Sequence, residues 1–593
     1  MLTLDLDERD PMLSHIVMTS IGIFDSSLCT RLLVHLVLYG DTIRALGTEK
    51  HAFAVQRAFA FQDYGSFALT ELGHGSNADG VETRADFIPE TREFELNSPS
   101  HTSAKWWIGA VGKTANMCVV FAQLYVSGEH QGVHVFLVPI RDNDSHEPKA
   151  GVVCGDCGPK AGGEIIDNGY LIFTRYRVPY DSLLDKLGHI AADGTYRSKI
   201  QSKKKRFSAM LAGLARGRIT ILSGVSIMLR HALTAAIRYG AVRRQFGTVE
   251  RPVLDYSLHR VRLCIHLSRA FALGLASQLA IGVHTKYRNI IKEDPLSKES
   301  DELHCILSSF KPICSWWAMQ GIQECREACG GQGYSAYSMF ARWRANCDVQ
   351  LTWEGDNNVL LQQASRFILK VAQRTLQGKR IDTPYLSYLN MDSALVYSQR
   401  AGNITQESFK ENLLFPLQCL EYRVNLMLHK TIARMTDSMQ SRSATDAWNY
   451  SQVFYLAELA RSFGEAVMLQ QYYEAVQRTA AISPLNGFAL SRLMQLFAFS
   501  IIKDNLLVFR ERDFLTAQQA NWVTDLVLDL SDEVGESAVN IIDAISLDDM
   551  TSGSILGRED GQVYKHIIEA VESQPDCYKI PEWVDLIRQL RAQ

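Results

Sequence analysis

The segment Cys118-Val119-Val120-Phe121-Ala122-Gln123-Leu124-Tyr125 decides the fold, because it is a β-type run in a chain whose flanks have helical periodicity. A second such run, Val133-His134-Val135-Phe136-Leu137-Val138, follows it. Between about Thr70 and Leu187, clusters of Gly, Pro, Asn and Asp separate further short β-type runs: residues 85–88, 93–96 and 170–173. We therefore expect a small antiparallel β domain in this region.

Helical periodicity surrounds the β region on both sides. From Leu13 to about Phe61 the apolar residues recur at helical spacing, which predicts two or three helices. A long helix is predicted after the basic run Lys203-Lys204-Lys205-Arg206, and further helices over residues 257–284, 301–329, 357–375 and from about 408 onward. The predicted fold is mainly α with an inserted β domain, and such an insertion favours a cleft at the junction.

Composition excludes several classes of protein. The chain has 593 residues, 47% hydrophobic and 21% charged, with a formal net charge of −4, so general nucleic-acid binding is not expected. The N-terminus is acidic, unlike an export signal. The charge-free stretch from Ala270 to Thr285 is shorter than the roughly 18 residues of a membrane-spanning helix. We expect no membrane span.

The twelve cysteines predict no metal centre. Only Cys154 and Cys157 are closely paired, and a zinc ribbon would need a second such pair at suitable spacing. We therefore expect reduced, mostly buried thiols in an intracellular protein.

A glycine-rich segment, Thr70-Glu71-Leu72-Gly73-His74-Gly75-Ser76-Asn77, lies where helix gives way to sheet. Such a turn can bring backbone close to a flat ligand, although an ordinary turn has the same composition. The pattern Gly73, Gly75 and Ala78 with Glu93 also satisfies a loose dinucleotide fingerprint. That fingerprint requires a helix directly after the glycines, and none is predicted, so we reject a Rossmann fold.

Two further motifs allow both a functional and a structural interpretation. Residues 105–114 place two tryptophans and two glycines ahead of a strand, which suits a planar ring system or an ordinary aromatic core. The run Arg243-Arg244-Gln245-Phe246-Gly247 ends a helix with two cations, which could bind pyrophosphate or lie in solvent.

The strongest catalytic candidate is Glu354, in Thr352-Trp353-Glu354-Gly355-Asp356-Asn357-Asn358. A carboxylate between a tryptophan and a glycine, just before a helix, is partly desolvated, which raises its pKa and makes it a better base. Asp356 or Asn357 could instead cap the helix, which is the structural interpretation of this polar cluster.

Taken together and in this order, the motifs resemble the peroxisomal acyl-CoA oxidases, flavoproteins of the acyl-CoA dehydrogenase superfamily. The resemblance runs from about Leu38 to at least Leu369 and continues more weakly through the C-terminal helices. Six segments carry it: residues 70–77, 105–114, 167–170, 244–247, 323–331 and 353–358. The last two are most similar to the branched-chain oxidase and the acyl-CoA oxidase-like protein.

The resemblance implies an architecture of four domains. They are a shortened N-terminal helical domain over residues 1–69, a β-barrel over 70–190, a helical flavin and substrate domain over 205–382 and a C-terminal helical domain over 405–593.

It also implies roles for the motif residues. Glu354 matches the base that removes the α-proton of the acyl thioester, and Thr70 and Gly109 match positions that contact the flavin. The family motif that reaches FAD across a dimer interface is matched by Arg244, Gln245 and Phe246. A family loop near the cofactor is matched by the segment that contains Gly331 and Gly333.

The activity implied is FAD-dependent α,β-dehydrogenation of a saturated fatty acyl-CoA to the trans-2-enoyl-CoA. Electrons pass to molecular oxygen and give hydrogen peroxide, the first step of peroxisomal β-oxidation, in a homodimer. Two alternatives stay open: a dehydrogenase that passes electrons to another flavoprotein, and an inactive acyl-CoA-binding homologue. The chain ends Arg591-Ala592-Gln593, unlike a Ser-Lys-Leu peroxisomal signal, so the peroxisomal location rests on the resemblance.

Overall fold

The computed structural model describes residues 10–211, 215–378, 383–389, 396, 398–402 and 404–592. The acidic N-terminal stretch 1–8 and the predicted domain end at 382 lie outside these residues.

The described chain begins with helical elements: α1 (Pro11–Phe24), α2 (Ser26–Leu32), a π-helix (Leu33–Gly40), α3 (Asp41–Leu46), a 3₁₀ turn (Glu49–His51) and α4 (Ala52–Phe59). Asp10 and Asp25 begin α1 and α2, because each side chain accepts hydrogen bonds from first-turn amides. A helical N-terminal region is therefore present as predicted.

Eleven strands follow among the described residues: β1 (Gly65–Ala68), β2 (Arg84–Ile88), β3 (Glu93–Asn97), β4 (Lys105–Ile108), β5 (Met117–Val126), β6 (Glu129–Pro139), β7 (Val152–Asp156), β8 (Gly169–Phe173), β9 (Tyr176–Pro179), β10 (His189–Ile190) and β11 (Tyr196–Arg197). The main sheet has the order β1-β5-β2-β3-β9, with β6 also paired to β5. A second, antiparallel sheet has the order β4-β8-β7. These two sheets form the predicted β domain.

The prediction of a purely antiparallel domain is wrong for two strand pairs. β1 and β2 both run parallel to β5, whereas the other pairs of the main sheet are antiparallel. Parallel neighbours need a long connection that returns the chain in the same direction, and the β1–β5 connection spans residues 69–116. Closure of the sheets into a β-barrel stays a prediction.

β5 is a continuous apolar run because both of its faces are covered. Residues 118–122 are each at most 1% exposed. Cys118, Val120 and Ala122 point into the core of the β domain. Val119 and Phe121 point to the other side, into a core shared with the N-terminal helices. The N-terminal helices and the β domain are thus packed against one another across this strand.

The middle of the chain forms a second helical unit. Its helices are α5 (Lys203–Leu211), α6 (Ala215–Val242), α7 (Ser257–Glu293), α8 (Lys298–Ala328), α9 (Gly330–Tyr334), α10 (Phe340–Asp348) and α11 (Asn357–Leu376). A two-stranded hairpin of β12 (Arg244–Gln245) and β13 (Arg251–Pro252) connects α6 to α7. α6, α7 and α8 pack on one another, so the long helix predicted after the basic run lies at the centre of this unit.

The C-terminal part is also helical. Its helices are α12 (Gln406–Glu411), α13 (Phe415–Met439), α14 (Ala444–Ser451), α15 (Ala457–Ile482), α16 (Pro484–Asp504), α17 (Leu506–Arg510), α18 (Ala517–Glu536), α19 (Ala538–Asp543), α20 (Asp549–Ser552), α21 (Val563–Glu572) and α22 (Val584–Ala592). One hydrophobic core runs through this part and the middle helices. The two helical parts therefore pack as one body around the long helices.

Three helices, α6, α7 and α16, are long and apolar enough to cross a membrane. The expectation that the region around Ala270 is too short was wrong, because α7 extends well beyond the charge-free stretch. Between 67% and 83% of each apolar window is buried inside the protein, as the central helices of a helical core require.

The cysteines in the described part of the chain are free thiols. Cys154 lies within β7 and Cys157 just beyond its end, where the Cys157 amide continues the ladder by donating to Asn168. The two cysteines are three residues apart in sequence, which in an extended chain places their Cα atoms about 10 Å apart. This distance is too long for a disulfide. Among the described residues no group of three His, Cys, Asp or Glu side chains could hold a metal ion.

Candidate active site

Glu354 lies in a tight turn between a 3₁₀ turn (Val349–Leu351) and the start of α11. Its φ angle is +55°, and that of Gly355 is +103°. A non-glycine residue in the left-handed region costs about 1–2 kcal/mol, and such residues cluster at functional sites. The Asp356 side chain caps α11 by accepting from the amides of Asn358 and Val359. The predicted helix cap is therefore Asp356, and Glu354 lies outside the cap.

The Glu354 carboxyl group lies directly against the backbone of α6. A Cβ atom built on Gly217, in the first turn of that helix, would be only 2.6 Å from both the Cδ and the Oε1 atoms of Glu354. Glycine at this position leaves free the space that the carboxylate occupies, because a Cβ atom there would overlap with it.

Two cations hold the backbone of the same turn. Arg218 Nε donates to the Glu354 carbonyl oxygen at 3.0 Å. Lys311 Nζ donates to the Gly355 carbonyl oxygen at 2.8 Å and to Asn357 Oδ1 at 2.9 Å. Surrounding protein desolvates the Glu354 carboxylate and raises its pKa, while the charges of Arg218 and Lys311 oppose this by favouring the ionised form. The predicted desolvation of Glu354 is thus present, with two cations limiting it.

His304, on α8, extends this polar cluster. Arg218 Nη1 lies 3.1 Å from His304 Nδ1, and His304 Nε2 lies 2.9 Å from Gln363 Oε1. Because arginine can only donate, Nδ1 is the acceptor and the proton sits on Nε2. Desolvation and the Arg218 charge lower the pKa of His304 to about 3, so it is neutral at physiological pH.

These groups are desolvated but not sealed from solvent. By surface area Glu354 and Arg218 are half-buried and His304 is exposed, while the surrounding protein desolvates all three groups. A desolvated carboxylate that solvent can still reach can accept a proton from a weakly acidic ligand.

The β domain contributes a second cluster, in which three of the predicted motifs meet. Tyr170 stacks on Trp106 at 5.4 Å between ring centroids, and Asn168 Nδ2 donates to the Trp107 carbonyl oxygen at 3.1 Å. Thr70 Oγ1 donates to the Trp106 carbonyl oxygen at 2.6 Å. Trp107 has a φ of +63° and is 57% exposed, so an aromatic face is presented beside the Gly109 backbone.

The π-helix connects this cluster to the Glu354 side of the molecule. Val34 lies 3.0 Å from where a Gly109 Cβ would be. Asp41, the first residue after the π-helix, forms an ion pair with Arg216, the neighbour of Gly217. π-helical turns are rare and often mark functional sites. Gly109 and the start of α6 beside Glu354 therefore both border the N-terminal region formed by the π-helix and the start of α3.

The remaining predicted cofactor residues gather at the other end of α6. Arg244 and Gln245 form β12, and Phe246 is 73% exposed. Gly331 and Gly333 belong to α9. A cavity of about 230 Å³ separates the two groups and is lined by Tyr239, Arg243, Val253, His259, Ala328, Cys329, Gly330, Gly331 and Gln332.

The cavity at the far end of α6 suits a phosphate-bearing ligand. A Cβ on Gly331 would meet nothing within 4 Å, so backbone is open there, and Arg243 supplies a cation. His259 Nε2 is buried and has no hydrogen-bond partner among the described residues. The exposed Trp107 face fits the ring system of a flavin, and the glycine-lined, cationic cavity fits the phosphates of a dinucleotide.

Four residues of the site were not found from the sequence: Gly217, Arg218, His304 and Lys311. Gly217 carries a weak signal, since an isolated glycine in a helical pattern often has a packing reason. Lys311 is followed by Pro312 inside the helix, which is also unusual. Nothing local connects His304 or Arg218 to Glu354, because the contacts join three separate helices.

Three family models match parts of this chain. Family models match residues 211–369 (acyl-CoA oxidase, C-alpha1 domain), 412–591 (acyl-CoA oxidase) and 66–176 (acyl-CoA dehydrogenase, middle domain). Human peroxisomal acyl-coenzyme A oxidase 3 is 34% identical over 586 residues, which cover 97% of this chain and 84% of the relative.

Solved structures are similar over almost the whole chain. Acyl-CoA oxidase 1 from Yarrowia lipolytica has a TM-score of 0.90 at 28% identity and covers 98% of this chain and 86% of its own. Acyl-CoA oxidase-1 from Caenorhabditis elegans, complexed with FAD and ATP, has a TM-score of 0.85 at 28% identity, with coverage of 95% and 83%. With a relative 34% identical along nearly its full length, this chain belongs to the acyl-CoA oxidase family.

Proposed function

We propose that Glu354 is the base in the reaction that family membership assigns to this chain, the FAD-dependent oxidation of a saturated fatty acyl-CoA by oxygen. One observation carries the proposal. The Glu354 carboxylate is held by a left-handed turn against the bare backbone of Gly217. A strained backbone that fixes a desolvated carboxylate is typical of a catalytic base.

The chemistry requires the environment that Glu354 has. The α-proton of a thioester is too weak an acid for a fully solvated carboxylate. Desolvation raises the pKa of Glu354 and strengthens it as a base, while the charges of Arg218 and Lys311 act in the opposite direction and favour its ionised form. The amide N–H of Glu354 is assigned, from the resemblance, to stabilise charge that develops on the thioester carbonyl oxygen. When bound, FAD accepts the β-hydrogen as hydride and passes the electrons to oxygen, giving peroxide.

FAD would be held by both clusters described above. We assign the flavin ring to the two neighbouring turns that contain Thr70 and Gly109. We assign the phosphate-bearing half to the predicted residues at the far end of α6, which are Arg244, Gln245, Phe246, Gly331 and Gly333. The C. elegans relative was crystallised with FAD, which supports the same cofactor here.

The distance between the Glu354 turn and the Arg244 motif supports a homodimer, because the flavin must lie beside the base to receive the β-hydrogen. Gly217, beside Glu354, and Val242, at the other end of α6, are roughly 38 Å apart at 1.5 Å per helical residue. An extended dinucleotide is shorter than this distance, so one FAD would contact Thr70 and Gly109 of one protomer and the Arg244 motif of its partner. The exposed Phe246 ring supports an interface at this end of α6.

Three further assignments follow from the family. The relative is named peroxisomal, and we propose a role in the first step of peroxisomal β-oxidation. We assign the apolar helices α6, α7 and α16 to the helical core, with no membrane span. Domain boundaries are proposed near residues 70, 190–205 and 382–405.

Anaerobic titration of FAD-reconstituted protein with saturated acyl-CoAs tests the function. We expect the visible flavin absorbance to bleach, and stoichiometric peroxide to form when air is admitted. Bleaching without peroxide would identify a dehydrogenase. Protein that binds acyl-CoA but never bleaches would identify an inactive homologue.

A further inference from the structure

Lys311 is a buried lysine whose ammonium group has no carboxylate partner among the described residues. It lies on α8 with 0% of its surface exposed. Its hydrogen bonds go to two neutral oxygens, the Gly355 carbonyl at 2.8 Å and Asn357 Oδ1 at 2.9 Å. Burial, together with the nearby Arg218 charge, lowers the pKa of Lys311 to about 7. The amino group donates in either protonation state, so its two hydrogen bonds do not depend on its charge.

The second acceptor is itself fixed. Asn357 is 1% exposed, begins α11, and donates from Nδ2 to Ser315 Oγ at 3.0 Å. Ser315 and Lys311 are four residues apart and therefore lie on one face of α8. This face of α8 thus holds both the Gly355 carbonyl and the start of α11.

The turn at Glu354 needs such support. Glu354 and Gly355 are both left-handed, and the strain at Glu354 persists only when the surroundings impose it. Lys311 binds the Gly355 carbonyl oxygen, and Arg218 binds the Glu354 carbonyl oxygen immediately before it. Two consecutive carbonyls are therefore held by cations from two different helices.

We infer that Lys311 is a positioning residue for Glu354, which fixes the Gly355 carbonyl and so keeps the Glu354 carboxylate against Gly217. The inference rests on the proposed role of Glu354 as the base. Without Lys311 the turn loses its hold on α8 and relaxes toward ordinary backbone angles. The carboxylate then leaves the position from which it reaches the α-proton.

Lys311→Met tests this, because methionine keeps most of the side-chain length and removes the donor. In stopped-flow reduction of the FAD-loaded enzyme by acyl-CoA, we expect the first-order rate to fall about 10²-fold, the loss typical of a 1 Å misplacement. FAD content and KM should stay close to wild type, and the α-deuterium isotope effect should rise. The acidic limb of the rate profile should move to higher pH, since the lost cation favoured ionised Glu354.

Arg423→Met is the matched control. Arg423 is a buried cation, 1% exposed, in α13 of the C-terminal part, where it pairs with Glu465 and Glu458. Its loss should lower stability and leave the reduction rate of the folded enzyme unchanged. An equal rate loss in Arg423→Met and Lys311→Met would overturn the inference, because it would show a general structural effect.

Glu354→Gln separates this inference from the proposed function. If Glu354→Gln is inactive and Lys311→Met reduces flavin at the wild-type rate, the inference fails and the proposed function stands. If Glu354→Gln itself reduces flavin at the wild-type rate, both fail. Should Lys311→Met not fold, Lys311→Gln removes the charge and shortens the side chain that reaches the Gly355 carbonyl, and an unchanged rate and pH profile in that variant would overturn the inference.

Discussion

Gly217→Ala is expected to stabilise the protein and to inactivate it. Gly217 lies in the first turn of α6, and alanine in a helix is favoured over glycine by about 0.5–1 kcal/mol. The added methyl group would lie 2.6 Å from Glu354 Cδ and Oε1. The clash is with the flexible end of a side chain, which can rotate away, so it does not cancel the helical gain.

The size of the catalytic effect follows from the geometry. A methyl carbon and a carboxyl carbon are in ordinary contact at about 3.5 Å or more, so the carboxylate must move by about 1 Å. A displacement of this size costs about 10²-fold in rate when reacting atoms must be in near-attack contact. We therefore expect flavin reduction by acyl-CoA to slow about 10²-fold, with FAD content unchanged.

Gly224→Ala, on the same helix, is the matched control. A Cβ on Gly224 meets nothing within 4 Å, so this variant should gain a similar stability and keep the wild-type reduction rate. Urea unfolding and stopped-flow flavin absorbance measure the two quantities. A Gly217→Ala enzyme that reduces flavin as fast as Gly224→Ala would refute the placement of the carboxylate against α6.

Three other measurements test separate parts of the structure. The kcat/KM for acyl-CoA should rise with pH, because Glu354 must be ionised to act as the base. Desolvation raises the pKa of Glu354, so the midpoint of this rise should lie above the ordinary glutamate pKa of about 4.3. A midpoint below about 4.3 would contradict this expectation. Burial lowers the pKa of His134 to about 3, whereas the same group in the unfolded chain takes up a proton near pH 6.5. As the pH is lowered from 6.5 to 4, the free energy of unfolding should therefore fall more steeply in wild type than in His134→Leu, by about 1.4 kcal/mol per pH unit. Urea unfolding across this pH range would show equal slopes if His134 were accessible. Phe246→Asp should weaken dimerisation, measured by analytical ultracentrifugation, and should also reduce the FAD that the protein retains. The control is Phe454→Asp, which changes a similarly exposed ring and should have neither effect. Equal effects of the two variants would argue against the proposed interface.

The order of helical and β regions could be predicted because periodicity is a local property. β5 and the long helices were found in this way, and so was the desolvation of Glu354, since a tryptophan and a glycine flank it in sequence. The parallel pairing of β1 and β2 with β5 could not be predicted, because strand direction depends on where a long connection returns the chain.

The partners of Glu354 were missed for a similar reason. Gly217, Lys311 and Glu354 come from α6, α8 and the turn before α11, and only the packing of those elements brings them together. The resemblance assigned Glu354 its role, whereas the cations and the glycine that shape its surroundings required the structure.

The most direct test of the central claim is single-turnover reduction of FAD-loaded Glu354→Gln by a saturated acyl-CoA without oxygen. Glutamine keeps the size of the side chain and removes the base. The account predicts that the variant binds FAD and acyl-CoA normally and that its flavin stays oxidised. Reduction at a rate near that of the wild-type enzyme would show that another group removes the α-proton, and would contradict the account.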